Sequence, residues 1–138
     1  MTAAFDMERV REIARSASDE PVTMVNMLRF RDRASYDPGC DATPCSGRDA
    51  YFERYASVST PLVMAAGASI FWLGSVVGHV VSPAEERWDD ILLVQYPNFG
   101  AVQRLFENPA YQAVVFHRSA ALQDSRLIAA RSIPIPAY

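Results

Sequence analysis

The feature that most constrains the fold is a set of strands that are apolar on both faces. The first runs from Val22 to Phe30, and its side chains alternate between Val22, Met24, Asn26, Leu28 and Phe30 on one face and Thr23, Val25, Met27 and Arg29 on the other. Two later segments repeat the pattern, with Ile70, Trp72, Val76 and Val80 opposite Phe71, Leu73, Val77 and Val81, and then Leu92, Val94 and Tyr96 opposite Ile91 and Leu93. A sheet with one solvated face would alternate apolar with polar side chains. Both faces of this sheet therefore need a cover.

Hydrophobic periodicity and turn residues predict an extra N-terminal helix followed by strand, helix, strand, strand, helix and strand. The predicted helices span 6–17, 48–66, 98–107 and 110–122, and the predicted strands span 22–30, 68–81, 88–96 and 125–133. We expect Pro61 to kink the second helix. The order indicates an α+β fold, the ferredoxin-like βαββαβ arrangement with an antiparallel four-stranded sheet.

The two crossover helices cover only one face of such a sheet. A second copy of the chain is the simplest cover for the other face, through a symmetric contact of the two sheets. The N-terminal helix is the alternative cover, although one short helix is narrow against four strands. The sequence thus predicts a homodimer.

Length and composition indicate one domain over residues 1–138, with a helical extension at 1–20 and a long polar loop at 31–47. Half of the residues are hydrophobic, and the formal net charge is −3 without a basic stripe, which argues against a nucleic-acid partner. No apolar run is long enough to cross a membrane, and the N-terminus lacks signal-peptide features, so we expect a cytoplasmic protein. Cys40 and Cys45 are then two reduced thiols, with a redox-responsive disulfide as the alternative.

Two polar residues stand out on apolar faces. Asn26 interrupts the buried face of the first strand and needs hydrogen-bond partners, either from neighbouring protein groups or from a substrate carbonyl or enolate-like oxygen in a pocket. Arg118 interrupts the apolar stripe of the last helix. Because its guanidinium keeps its charge, it needs an anionic partner, which is a substrate acid or an internal Asp89, Asp90 or Asp124.

His117 has small helical neighbours, which leaves room for a ligand over its imidazole. It is a candidate general base, with a partly exposed histidine of no special role as the alternative. His79 is a second candidate for proton transfer, at the rim. Six aromatic residues are candidates for lining a substrate cavity, although such stripes are commonly plain core: Tyr51, Tyr55, Trp72, Trp88, Tyr96 and Tyr111. The sequence contains no phosphate-binding glycine loop, G-x-S-x-G elbow or H-E-x-x-H motif, and we expect no NAD, ATP or zinc chemistry.

Three stretches carry a family resemblance. They are the opening strand Pro21 to Phe30, the segment Arg87 to Pro97, and the closing region with Asn108-Pro109-Ala110-Tyr111-Gln112, His117-Arg118 and Asp124 to Ile128. Together they resemble the domain-of-unknown-function family numbered 1330, a branch of the dimeric α/β-barrel superfamily. The resemblance implies a ferredoxin-like domain whose sheet pairs with that of a second copy to form a barrel. Because some members of that superfamily bind haem, it also raises His117 as a haem ligand; otherwise we expect no cofactor.

These features lead to two hypotheses for function. The first is a homodimer that binds a small, mostly apolar molecule with a carbonyl or carboxylate group and acts on it without a cofactor, by proton transfer or oxygenation. In it, Asn26 orients the polar atom, Arg118 holds the acid group, and His117 or His79 moves a proton. The second is a non-catalytic carrier, sensor or assembly module.

Overall fold

The computed structural model describes residues 4–138, and its central strand is β1 (Val22–Phe30). Burial alternates along β1 as the sequence predicts: Val22, Met24, Asn26, Leu28 and Phe30 are buried, and the residues between them are partly exposed. The buried set faces the helices and contributes to the hydrophobic core.

The sheet has four strands in the order β2-β3-β1-β4, with every neighbouring pair antiparallel. The remaining strands are β2 (Ser69–Ser75), β3 (Asp90–Tyr96) and β4 (Leu122–Ala130). With two helical crossovers on one side, this is the ferredoxin-like α+β arrangement, which confirms the predicted fold. The predicted bounds of β4 were wrong, since the strand begins three residues earlier and ends at Ala130.

The predicted faces of β2 were wrong beyond Ile70, because the pairing with β3 slips at Phe71. Ile70 pairs with Val94, whereas Trp72 pairs with Leu93, so the extra residue turns Trp72 to the face away from the helices. The Trp72 ring lies over Gly74, where a Cβ atom would be only 2.0 Å from it. The strand ends at Ser75 instead of continuing to residue 81, and Val77, Val80 and Val81 are fully exposed.

The N-terminal helix α1 (Met7–Ser16) begins where predicted, and the Asp6 carboxylate caps it by accepting a hydrogen bond from the Arg9 amide. It lies on the helix side of the sheet, against α4 (Phe99–Glu107), with Val10 in the core. It therefore does not cover the other face of the sheet, where Trp72 and Ile128 are each 50% exposed.

The predicted second helix consists of three segments: α2 (Gly47–Asp49), a π-helix (Ala50–Tyr55) and α3 (Ala56–Ala65). The wider π-helical turn changes the register, so residues four apart line one face: Tyr51, Tyr55, Ser59 and Val63. Val58, which an unbroken α-helix would bury with Tyr51 and Tyr55, is 45% exposed.

The last helical region is also divided. Asn98 caps α4, and Asn108 caps the short α5 (Pro109–Gln112). After a turn, α6 (Val115–Ala121) leads directly into β4 and buries Arg118. No helix among residues 4–138 is long and apolar enough to span a bilayer.

Candidate functional site

A cavity of about 220 Å³ lies between the helices and the sheet. Its floor is formed by β1, β2 and β3, through Met24, Asn26, Leu73, Leu92, Val94 and Tyr96. The π-helix and α3 supply Tyr51, Tyr55, Ser59 and Val63 along one wall, and Phe106, Tyr111 and Arg118 close the other. The cavity is mostly apolar with a few polar groups, which is the usual composition of a small-molecule site.

Tyrosine hydroxyls form the polar part of this cavity. The hydroxyl groups of Tyr55 and Tyr111 are 2.6 Å apart and share one hydrogen bond. Burial raises the pKa of Tyr51, Tyr96 and Tyr111, and the neighbouring Tyr55 raises each of these pKa values further. The three hydroxyls therefore stay protonated at neutral pH. Tyr111 is engaged with Tyr55, and the hydroxyls of Tyr51 and Tyr96 can donate to a ligand.

Arg118 brings a buried positive charge to the same cavity. It is only 3% exposed, and its guanidinium lies 4.5 Å from the centre of the Phe5 ring. A hydrogen bond with Arg118 and its positive charge both lower the pKa of Tyr51, opposing the larger effect of burial. The positive potential favours an anionic or electron-rich ligand group.

Asn26 is 8% exposed and lines the cavity floor. Its Nδ2 donates to the backbone oxygens of Met24 and Leu92, at 3.3 and 3.2 Å. Because both neighbours are carbonyls, the amide orientation is fixed, with Nδ2 on their side. We expected Asn26 to hold a substrate carbonyl by donation, but its donors are occupied by the backbone and its acceptor oxygen is left for the cavity.

Phe5 covers one side of the cavity. Its ring stacks on Phe106 at 4.4 Å and contacts Tyr111 at 6.1 Å, measured between ring centres. Sequence reasoning did not identify Phe5 or Ser59 as site residues. The position of Ser59 depends on the π-helix, which no sequence pattern indicates, and Phe5 precedes the first predicted helix.

His117 does not line this cavity, although it is next to Arg118 on α6. Its Nδ1 is 2.7 Å from the Tyr36 hydroxyl, which also accepts a hydrogen bond from Arg54 at 3.2 Å. The tautomer of His117 sets which of the two groups donates in the bond between Tyr36 and Nδ1. The rings of Tyr36 and Phe116 occupy the space that we expected small neighbours to leave open. Burial, and then the charge of Arg54, lowers the pKa of His117.

The remaining candidates are placed elsewhere. His79 lies between β2 and β3, where its Nε2 accepts a hydrogen bond from the Trp88 amide at 3.0 Å. Trp88 is buried with the Arg126 guanidinium 5.0 Å from its ring centre, and Trp72 lies on the far face of the sheet. The cavity thus brings together Asn26, Arg118 and the tyrosines, but not His117 or the two tryptophans. Cys40 and Cys45 are free thiols.

The sequence matches no family model and no curated protein. It does match solved structures. RPA0582 from Rhodopseudomonas palustris, a protein of unknown function, is 30% identical over 96% of this chain and 98% of its own, with a TM-score of 0.85. This chain belongs to the RPA0582 family.

Two further structures share this architecture. Methylated RPA0582 gives 28% identity and a TM-score of 0.87 over 96% of both chains. At3g17210 from Arabidopsis thaliana, at 14% identity and a TM-score of 0.58 over 84% of this chain and 99% of its own, shares the fold. The similarity to RPA0582 thus supports the architecture over 96% of this chain, whereas placement in the family numbered 1330 stays a prediction.

Proposed function

We propose that this protein binds a small, mostly apolar molecule with a carboxylate or carbonyl group in the cavity between its helices and sheet. The convergence of Arg118, Asn26 and four tyrosines on one otherwise apolar cavity carries the proposal. Arg118 and the protonated Tyr51 hydroxyl beside it suit the acid or carbonyl oxygen, and the apolar walls suit the body of the ligand.

Binding without chemistry, as in a carrier or sensor, fits the cavity better than catalysis. Among the described residues that line it, the only titratable side chains are Arg118 and tyrosines. Burial raises the pKa of three of these tyrosines, which makes them poor bases at neutral pH. A proton-transfer or oxygenation mechanism based on His117 would need that histidine to leave Tyr36 and reach the cavity. We propose no cofactor for this function.

The proposal includes a homodimer that pairs the free faces of two sheets, as in the α/β-barrel branch that the family numbered 1330 represents. The outer face carries apolar side chains, including Val25, Ile91, Leu93 and the half-exposed Trp72 and Ile128. With α1 on the helix side, a second copy covers this face symmetrically. We place the protein in the cytoplasm, where Cys40 and Cys45 remain reduced.

Replacing Arg118 with methionine is expected to weaken binding of phenylacetate ten- to a hundredfold, because a charge-assisted hydrogen bond is lost at a buried site. Titration calorimetry with wild type, Arg118→Met and Arg104→Met measures the effect. Arg104 is exposed on α4 and does not line the cavity, so its variant controls for the loss of one positive charge.

Phenylacetamide tests the same interaction without a variant, since it removes only the ligand's charge. Wild type is expected to bind it at least tenfold more weakly than phenylacetate. Equal affinity for the two compounds, or unchanged phenylacetate binding by Arg118→Met, contradicts the proposed role of Arg118.

A further inference from the structure

The amide of Asn26 specifies one chemical property of whatever occupies the cavity. Both Nδ2 hydrogens are used by the carbonyls of Met24 and Leu92, while Oδ1 has no hydrogen-bond partner among residues 4–138. Asn26 is 8% exposed and lines the cavity, so whatever fills the cavity, water or ligand, is the available donor to Oδ1. A ligand that displaces the water at Oδ1 without supplying a donor pays a free-energy cost, and a ligand that carries a donor avoids that cost.

Two further hydroxyl groups that line the cavity extend the pattern. Ser59 and Tyr96 are 4% and 6% exposed, and neither hydroxyl makes a hydrogen bond within the described part of the chain. Each can donate or accept. Asn26 Oδ1 differs from them, because it only accepts and therefore discriminates between ligands that carry a donor and ligands that do not.

The cavity volume limits the body of the ligand. An apolar protein cavity of about 150 Å³ accommodates benzene, and this cavity of about 220 Å³ adds room for one or two short substituents. Phe5, Phe52 and Phe106, together with the tyrosines, provide aromatic walls for a ring.

We propose that the ligand is a single-ring aryl carboxylic acid with a hydroxyl or N–H group that donates a hydrogen bond to Asn26 Oδ1. The inference rests on the function proposed above, which supplies the carboxylate end at Arg118. It adds a specificity rule: a ring donor is preferred over an apolar group of the same size, since the apolar group leaves Oδ1 unsatisfied.

Titration calorimetry of wild-type protein with three sets of probes tests this rule. The probes are phenylacetate, its ortho-, meta- and para-hydroxyl derivatives, and the corresponding methyl derivatives. In the methyl derivatives, a methyl group of similar size replaces the hydroxyl. At least one hydroxyl isomer is expected to bind ten times more tightly than both its methyl counterpart and phenylacetate. In Asn26→Leu that preference is expected to disappear.

The outcomes separate the two proposals. Binding of phenylacetate with no preference for any hydroxyl isomer overturns the role of Asn26 and leaves the proposed function standing. A lack of binding by every probe overturns both. The comparison of probes with wild-type protein is sufficient, so the test does not depend on whether Asn26→Leu folds. If Asn26→Leu folds and still prefers the hydroxyl isomer, the assignment to Oδ1 is overturned as well.

Discussion

Replacing Gly47 with alanine is expected to lower the free energy of unfolding by about 3 kcal/mol, the upper part of the range for overpacking. A Cβ at this position would lie 2.2 Å from the Arg31 carbonyl oxygen and 2.6 Å from that of Ala121. Both obstacles are backbone atoms, so a side-chain rotation cannot relieve the clash. The Gly47 amide also donates to the Arg31 oxygen at 3.1 Å, and the Arg31 amide donates to Ala121, which joins the start of α2, the end of β1 and the end of α6.

Chemical denaturation of wild type, Gly47→Ala and Gly39→Ala measures this effect. Gly39 belongs to the same loop, but nothing lies within 4 Å of the Cβ that alanine would add there. We expect the Gly39 variant to keep wild-type stability or to gain a few tenths of a kcal/mol from a stiffer unfolded chain. Equal stability of the two variants would show that the close approach at Gly47 is not part of the fold.

Replacing Arg48 with methionine is expected to lower the free energy of unfolding by about 2 kcal/mol. The guanidinium forms two hydrogen bonds with the Asp90 carboxylate, at 2.8 and 3.2 Å, and lies 4.6 Å from the centre of the Phe30 ring. The Asp90 side chain is only 4% exposed, so the variant leaves a buried charge without its counterion. The expected loss is below that of a fully enclosed pair, because the Arg48 side is 51% exposed and admits water.

A double-variant comparison separates the charge effect from lost packing. Asp90→Asn removes the carboxylate charge. We therefore expect this substitution to lower the free energy of unfolding less in the Arg48→Met background than in wild type. Arg9→Met, at a surface pair with Asp6 whose arginine side chain is 81% exposed, is expected to change stability by less than about 0.5 kcal/mol. Additive losses from Arg48→Met and Asp90→Asn would argue against the buried-charge explanation.

The central part of the fold was predictable because it depends on local alternation. Nine consecutive residues of β1 alternate without interruption, and their buried face is the one that the sequence indicates. The starts of α1 and α4 were also predictable, since a short polar side chain, Asp6 or Asn98, stands immediately before each helical pattern.

The wrongly predicted faces of β2 and of the second helix come from structural irregularities that shift the repeat of inward-facing side chains by one residue. The bulge at Phe71 moves Trp72 to the other face, and the π-helix moves Ser59 into the place expected for Val58. Both depend on tertiary packing and hydrogen-bond geometry, so a periodicity analysis that assumes regular strands and α-helices cannot detect them. The tight contact at Gly47 likewise requires knowledge of where α6 ends.

The polar residues of the candidate site that interrupt apolar faces were predictable from the sequence. The full set of residues that line the cavity was not. Asn26 and Arg118 stood out because each interrupts an apolar face, and they line one cavity. His117 is adjacent to Arg118 in sequence, but successive residues on a helix point in different directions, and here they face the Tyr36 loop and the cavity, respectively.

Native mass spectrometry of the full chain with excess phenylacetate tests most directly whether this is a dimer with a ligand cavity in each protomer. We expect a species of twice 15.3 kDa that carries up to two phenylacetate molecules and releases them on collisional activation. A 15.3 kDa monomer would contradict the pairing of the sheets, and a dimer that gains no ligand mass would contradict the binding function of the cavity.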